Sequence, residues 1–180
     1  TVSGTGDMTD YWGEDSSPWF PYVGEIGRVV FEEGVTSIGN YAFPRRYLIR
    51  SVQLPESLVR IGTSAFTYSI LETIDFPSHL EVIAASAFYN SKKLTHVELP
   101  DSLTELGEFA FASGEKLASV EIGSGLVDIG SSAFDDCEKL TTITVSEENE
   151  ALCSIDGAVI EQLRHTAAVC SRQGGRIYRS

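Results

Sequence analysis

The chain has 180 residues, an ordinary apolar fraction of 42% and a formal charge of −13. That length suits one domain. No apolar run approaches the roughly 18 residues of a membrane-spanning helix, and so acidic a body argues against nucleic acid or an anionic membrane as partner. Residues 1–163 hold all 26 acidic side chains against nine basic ones, whereas the last 17 residues carry Arg164, Arg172, Arg176 and Arg179 and no acid.

The chain opens directly on Thr1-Val2-Ser3-Gly4, as a mature secreted chain or an excised fragment would. Residues 1–25 precede the regular part of the sequence. Gly4-Thr5-Gly6 reads as a turn, and Trp12, Trp19 and Phe20 are large enough to cover the end of whatever follows.

From Ile26 one pattern recurs, with lead residues Ile26, Ile49, Leu71, Leu94, Leu117 and Leu140, spaced 23, 22, 23, 23 and 23 residues apart. A fixed period in the twenties means a solenoid, whose turns bury their apolar faces only against their neighbours. After each lead residue the apolar positions alternate. Val97 and Leu99 point one way, His96 and Glu98 the other, which is the period of a half-buried strand. Pro55, Pro77 and Pro100 follow that strand, where a missing N–H costs nothing.

A second cluster follows, as in Leu58/Ile61/Gly62 and Leu126/Ile129/Gly130. Ala84 takes the glycine place in the third copy, so close packing rather than positive φ is the likelier demand on that column. Then come Ala-Phe pairs ending in Phe43, Phe66, Phe88, Phe111 and Phe134, expected to stack as an internal ladder. Thr63 and Ser131 stand where each would cap a single helical turn. The column three residues beyond the phenylalanine holds Arg46, Ser69, Ser91, Gly114 and Cys137, so Cys137 reads as a small buried residue. The second copy is one residue short after Phe66.

Alternation also fixes the outward columns. One reads Arg28, Ser51, Thr73, His96, Ser119, Thr142, and the other Val30, Gln53, Asp75, Glu98, Glu121, Thr144. With parallel strands about 4.8 Å apart, Asp75, Glu98 and Glu121 should stack, with His96 beside Glu98. Such a column reads either as a solvated polar face or as a site for a cation or a basic partner. The candidate binding residues are therefore Thr73, Asp75, His96, Glu98, Ser119 and Glu121, on the concave face of the solenoid. Arg45, Arg46 and Arg50 form a basic convex loop, read as a solvated face, an ion partner for Glu32 and Glu33, or a docking patch.

No P-loop, GxGxxG, HExxH, CxxC or N-x-[ST] motif occurs, and a His96/Glu98 acid–base pair lacks a nucleophile arrangement. No catalytic residue, metal site or cofactor is expected. The odd cysteine count leaves a Cys153–Cys170 disulfide open.

Taken together, Leu-x-x-Ile-x-Ile-Pro-x-x-Leu-x-x-Ile-Gly-x-x-Ala-Phe-x-x-Cys-x-x-Leu, almost as read from Ser119 to Leu140, resembles the BspA-like leucine-rich repeats of bacterial surface proteins. The resemblance spans Ile26 to Val145. It implies a mainly β leucine-rich-repeat solenoid, with a parallel sheet on the concave face and short helical turns or loops on the convex face. It implies an N-terminal cap over 1–25, an array over 26–148, and a C-terminal capping β-hairpin over 149–180, where the family usually continues into a further repeat. It also implies an extracellular or cell-surface location and a non-enzymatic, adhesive role toward a protein ligand such as a host or extracellular-matrix protein. A structural spacer and a carbohydrate-binding module are the alternatives.

Overall fold

The structure is a computed structural model and describes residues 1–13, 15–22, 24–43 and 49–152. Six successive turns start at the lead residues. A complete turn passes through a front strand, a back strand and a tight outer bend before the next lead residue; of the sixth turn only the front strand is among the described residues.

The front strands are β2 (Arg28–Val30), β4 (Ser51–Gln53), β7 (His96–Leu99), β9 (Ser119–Ile122) and β11 (Thr142–Val145). All pair in parallel, with Val97 against Val120 and Val120 against Ile143, so the alternation holds residue for residue. The front sheet is not continuous, however. It is split into a two-stranded part, β2–β4, and a three-stranded part, β7–β9–β11. Turn three, which lies between them, has no front strand.

The second apolar cluster builds a sheet of its own, which the sequence reading did not anticipate. Strands β1 (Gly6–Asp7), β3 (Val35–Ile38), β5 (Arg60–Ile61), β6 (Val82–Ile83), β8 (Glu105–Leu106) and β10 (Asp128–Ile129) form a six-stranded parallel back sheet. Most are two residues long, because each turn leaves the ladder at once into the bend. The glycines that end them do not have positive φ. A Cβ at Gly62 would lie 2.7 Å from the backbone of Gly39 and Asn40, and one at Gly130 would lie 2.2 Å from the nitrogen of Glu108. Close approach of turns is what these positions require.

The expected helical turn is absent. Among the described residues the only helix is a 3-10 turn at Phe20–Tyr22. Thr63 caps nothing; its amide donates 2.7 Å to Asn40 Oδ1 of the preceding turn, and the Ser131 hydroxyl donates 3.0 Å to Glu108 Oε1. The bend is made by non-glycine residues in the left-handed region. They occupy the column before Ala-Phe (Tyr41, Ser64, Ser86, Phe109, Ser132) and the column before the small residue (Tyr68, Asn90, Ser113, Asp136). These reversals let alternate amides reach the next turn: Ser64, Phe66 and Tyr68 donate to the carbonyls of Ala85, Ala87 and Tyr89 at 2.7–3.0 Å. A helix would satisfy the same groups within the turn and leave turns unconnected.

The core lies between the two sheets and the bends. Five lead residues are buried and Ile26 partly so. The phenylalanines stack nearly parallel, with centroids 5.7, 5.5, 5.2 and 5.9 Å apart from Phe43 to Phe134. Trp19 continues the column, stacked on Phe43 at 4.9 Å, with its Nε1 donating 2.7 Å to the Ala42 carbonyl. Trp12, expected beside it, is 92% exposed and covers nothing. Cys137 is buried as expected, its Sγ 3.3 Å from the Phe111 carbonyl oxygen. At the far end Asn149 is also buried. Its Nδ2 donates to the carbonyls of Gly123 (2.9 Å) and Leu126 (3.0 Å), and its Oδ1 accepts from the amides of Ala151 and Leu152. Arg45 and Arg46, Cys153 and Cys170, and all but residues 149–152 of the expected C-terminal hairpin lie outside the described residues.

Candidate functional site

The front face carries the outward columns expected from the alternation, in two ladders separated at turn three. Parallel pairing puts His96 opposite Ser119 and Ser119 opposite Thr142, and Glu98 opposite Glu121 and Glu121 opposite Thr144. His96 Nδ1 and Ser119 Oγ share a 2.8 Å hydrogen bond. Thr73 and Asp75 are exposed and belong to the same columns by sequence, but they lie in turn three and are not in the ladder. Four of the six candidate residues are thus brought together in register, and two stand beside a break.

Glu98 and Glu121 are exposed neighbours of like charge at one strand spacing. Among the described residues neither pairs with a cation. Two ion pairs among the described residues lie on the loops entering the front face, Lys92 with Glu115 and Lys93 with Glu72. The hydrogen bond that Lys92 donates to Glu115, together with that carboxylate's charge, raises the Lys92 pKa. No group of three or more His, Cys, Asp or Glu among the described residues is placed to hold a metal ion. The His96–Ser119 contact resembles two parts of a nucleophile–base pair. Among the described residues no third side chain hydrogen-bonds the imidazole, and Ser119 lies within a paired strand.

Two features of this face were not legible as site residues. Phe76 is only partly buried, edge-on to Phe88 and Phe111, and it lines two shallow grooves. One, of about 330 Å³, also holds Gln53, Leu54, Glu56 and Asp75. The other, of about 500 Å³, holds Glu98, Leu99, Asp101 and Glu121. In the sequence Phe76 stands in the column of Leu54, Leu99 and Ile122 and reads as core.

The carboxylates just past the strands are tied to the next turn. Glu33 accepts the amides of Glu56 (2.8 Å) and Ser57 (3.2 Å), and Asp101 accepts the Ser124 amide at 2.7 Å. Those backbone hydrogen bonds hold both carboxyls below their ordinary pKa. Glu33 therefore serves as a staple between turns, and the ion pair expected for it with Arg45 and Arg46 falls outside the described residues.

The region 17–141 matches the model of the BspA-type leucine-rich repeat in six copies. The chain belongs to the BspA-type leucine-rich repeat family. A leucine-rich repeat protein of Eubacterium ventriosum has a similar fold at 24% identity and a TM-score of 0.76, over 86% of this chain and 41% of that one. The leucine-rich repeat protein TpLRR of T. pallidum is 26% identical with a TM-score of 0.63, over 76% of this chain and 61% of that one. The pneumococcal vaccine antigen PcpA is 24% identical with a TM-score of 0.54, over 86% of this chain and 46% of that one. The chain thus spans less than two thirds of each. No curated protein is similar to the chain in sequence. Among the described residues, no helix is long and apolar enough to cross a membrane.

Proposed function

We propose that this BspA-type repeat array is a non-enzymatic protein-binding module of a bacterial secreted or cell-surface protein, and that its front face at turns three to five receives the partner. The observation that carries this reading is the set of exposed columns on one face, with Glu98 and Glu121 in register, Asp75 beside them and no cation among the described residues to neutralise them. Opposite charge on a partner relieves that repulsion and steers association. An adhesive role toward a host or matrix protein fits the family. The fold shared with a pneumococcal vaccine antigen accords with an exposed location. Residues 1–25 act as the N-terminal cap in this reading, supported by Trp19 on the end of the aromatic column and by β1 on the edge of the back sheet.

The test is capture from extracellular-matrix proteins beside a glycan array. Protein capture that slows, and loses its salt dependence, in an Asp75→Asn/Glu98→Gln/Glu121→Gln triple variant supports the reading. Glycan binding in place of protein capture marks a carbohydrate module, and silence in both marks a spacer.

A further inference from the structure

We propose that turn three is a one-sided hinge in the array: turns one and two tilt against turns four to six by opening and closing along the front face, about an axis in the back sheet and the bends. This goes beyond the binding role proposed above and does not depend on it.

The joint has a cause in the sequence. The lead residue follows the stacked phenylalanine by six positions at Phe43–Ile49, Phe88–Leu94, Phe111–Leu117 and Phe134–Leu140, but by five at Phe66–Leu71. One residue is missing directly before turn three's front segment. On the front face the result is a gap in the ties between turns. Among the described residues the main chain from Glu72 to Phe76 makes no backbone hydrogen bond, and the strands on either side, β4 and β7, pair only away from the gap. The carboxylate staple fails at the same turn. Glu33 and Asp101 each hold an amide of the following turn, whereas Ser78, in their column, turns its hydroxyl back to Glu56. The Lys93–Glu72 ion pair, 3.8 Å long, crosses from turn four to turn three there, and a solvent-exposed pair of that kind is a weak tie.

The other two sides of turn three are tied through without a break. In the back sheet β6 pairs with both β5 and β8. In the bends Ser64, Phe66 and Tyr68 donate to turn three, and Ser86, Phe88 and Asn90 donate onward to the carbonyls of Glu108, Ala110 and Ala112, all three at 2.8 Å. Phe88 stacks at 5.5 Å on Phe66 and at 5.2 Å on Phe111, so the turns keep their ordinary spacing along this axis. The curvature of a solenoid is the sum of the small rotations between its turns. Elsewhere ties on the front and the back fix each rotation. At turn three the back and the bends fix the spacing but leave the front free to rotate, because local opening follows where hydrogen bonds are fewest. Phe76 rides on this joint, edge-on to Phe88 and Phe111, and lines the grooves beside it, so rotation alters the width of both.

The experiment uses the full chain with Cys137, Cys153 and Cys170 replaced by serine, carrying nitroxide labels in pairs two turns apart. Ser51→Cys/His96→Cys spans turn three on the front, and Arg60→Cys/Glu105→Cys spans it on the back. His96→Cys/Thr142→Cys is the front control, because β9 lies between its labels and pairs on both sides. Two strand spacings set each pair about 10 Å apart, within reach of dipolar broadening. The distance distribution across the front of turn three should be at least about twice as wide as either of the others. One threonine inserted between Ser69 and Ile70 restores the six-position spacing and should narrow it to the width of the front control. Equal widths for the two front pairs overturn the hinge, and this comparison needs no insertion variant to fold. Equal broadening on the back overturns it as well, because turn three would then be loose on every side. So does a folded insertion variant that stays as broad as its parent.

Discussion

Replacing Phe88 by alanine tests the aromatic column where it is most tightly enclosed. The ring is fully buried, lies 5.5 Å from Phe66 and 5.2 Å from Phe111 in parallel stacks, and meets Phe76 edge-on at 5.7 Å. Truncating a buried phenylalanine typically costs about 3–5 kcal/mol through lost transfer energy and the cavity left behind. Each aromatic pair adds about 0.5–1.5 kcal/mol beyond buried area, so a ring with three partners should fall at the upper end. Phe134 is partly buried and, among the described residues, stacks on Phe111 alone, so Phe134→Ala should cost about half as much. Urea denaturation followed by fluorescence reads the difference. Trp19 stacks on the same column and reports its loss, while Trp12 is already in water and changes little. Because turns couple to nearest neighbours, a Phe66/Phe88 double-mutant cycle should show about 0.5–1.5 kcal/mol of coupling, and a Phe66/Phe111 cycle less than about 0.5 kcal/mol. Equal costs for Phe88→Ala and Phe134→Ala, or equal coupling in the two cycles, would refute the stacked-column account.

Burial pushes the Cys137 thiol from its ordinary 9.0 up to about 11. The folded pKa is the higher one, so this thiol's contribution is fully present below pH 9 and is lost as pH rises toward 11. With Cys153 and Cys170 replaced by serine, the native protein should resist thiol labelling at pH 8. Its stability should fall about 2 kcal/mol more by pH 10.5 than that of the corresponding Cys137→Ala protein; parallel pH profiles would exclude a buried neutral thiol. Asn149→Ala strands the buried carbonyls of Gly123 and Leu126 and should cost about 2–4 kcal/mol in chemical denaturation, whereas a surface asparagine would cost almost nothing. Ser86→Gly relieves a left-handed residue at φ 56° and should raise stability by about 0.5–1 kcal/mol; a lower thermal midpoint would show that the hydroxyl matters more than the backbone.

What the sequence made legible is what repeats. Lead residues, inner strand residues, phenylalanines and the small column each recur under the same packing demand. A period and an alternation were therefore enough to place Val97 against Val120, Phe88 against Phe111, and Cys137 inside. The back sheet was harder to read because its strands are mostly two residues long, too short for any alternation to show. The bends were misread because serine, tyrosine and phenylalanine do not announce a left-handed backbone as glycine does. Ser64, Ser86 and Phe109 adopt it because three amides per turn then bond to the neighbouring turn. Trp12 and Trp19 were indistinguishable in sequence; only the geometry of the segment puts one on Phe43 and the other in water.

The candidate site depends on departures from the repeat, and a departure has no second copy to calibrate it. Position 84 shows the difference. Ala84 in the glycine column is buried, and β6 still pairs on both sides, so this change is absorbed by packing. The residue missing before Leu71 is not absorbed. It shortens the approach to a strand whose length the core cannot adjust, because Leu71 and Ile74 stay buried. The strain is taken up on the outward side, where hydrogen bonds can be surrendered to water at little net cost. Phe76, in the column of Phe31, Leu54 and Leu99, is half-buried at the same point where Phe31 is buried, edge-on to Phe88 and Phe111, and lines both grooves. A deletion and a half-buried ring in one turn, both expressed on the front face and neither disturbing the aromatic column, separate the face that is free to vary from the core that is not.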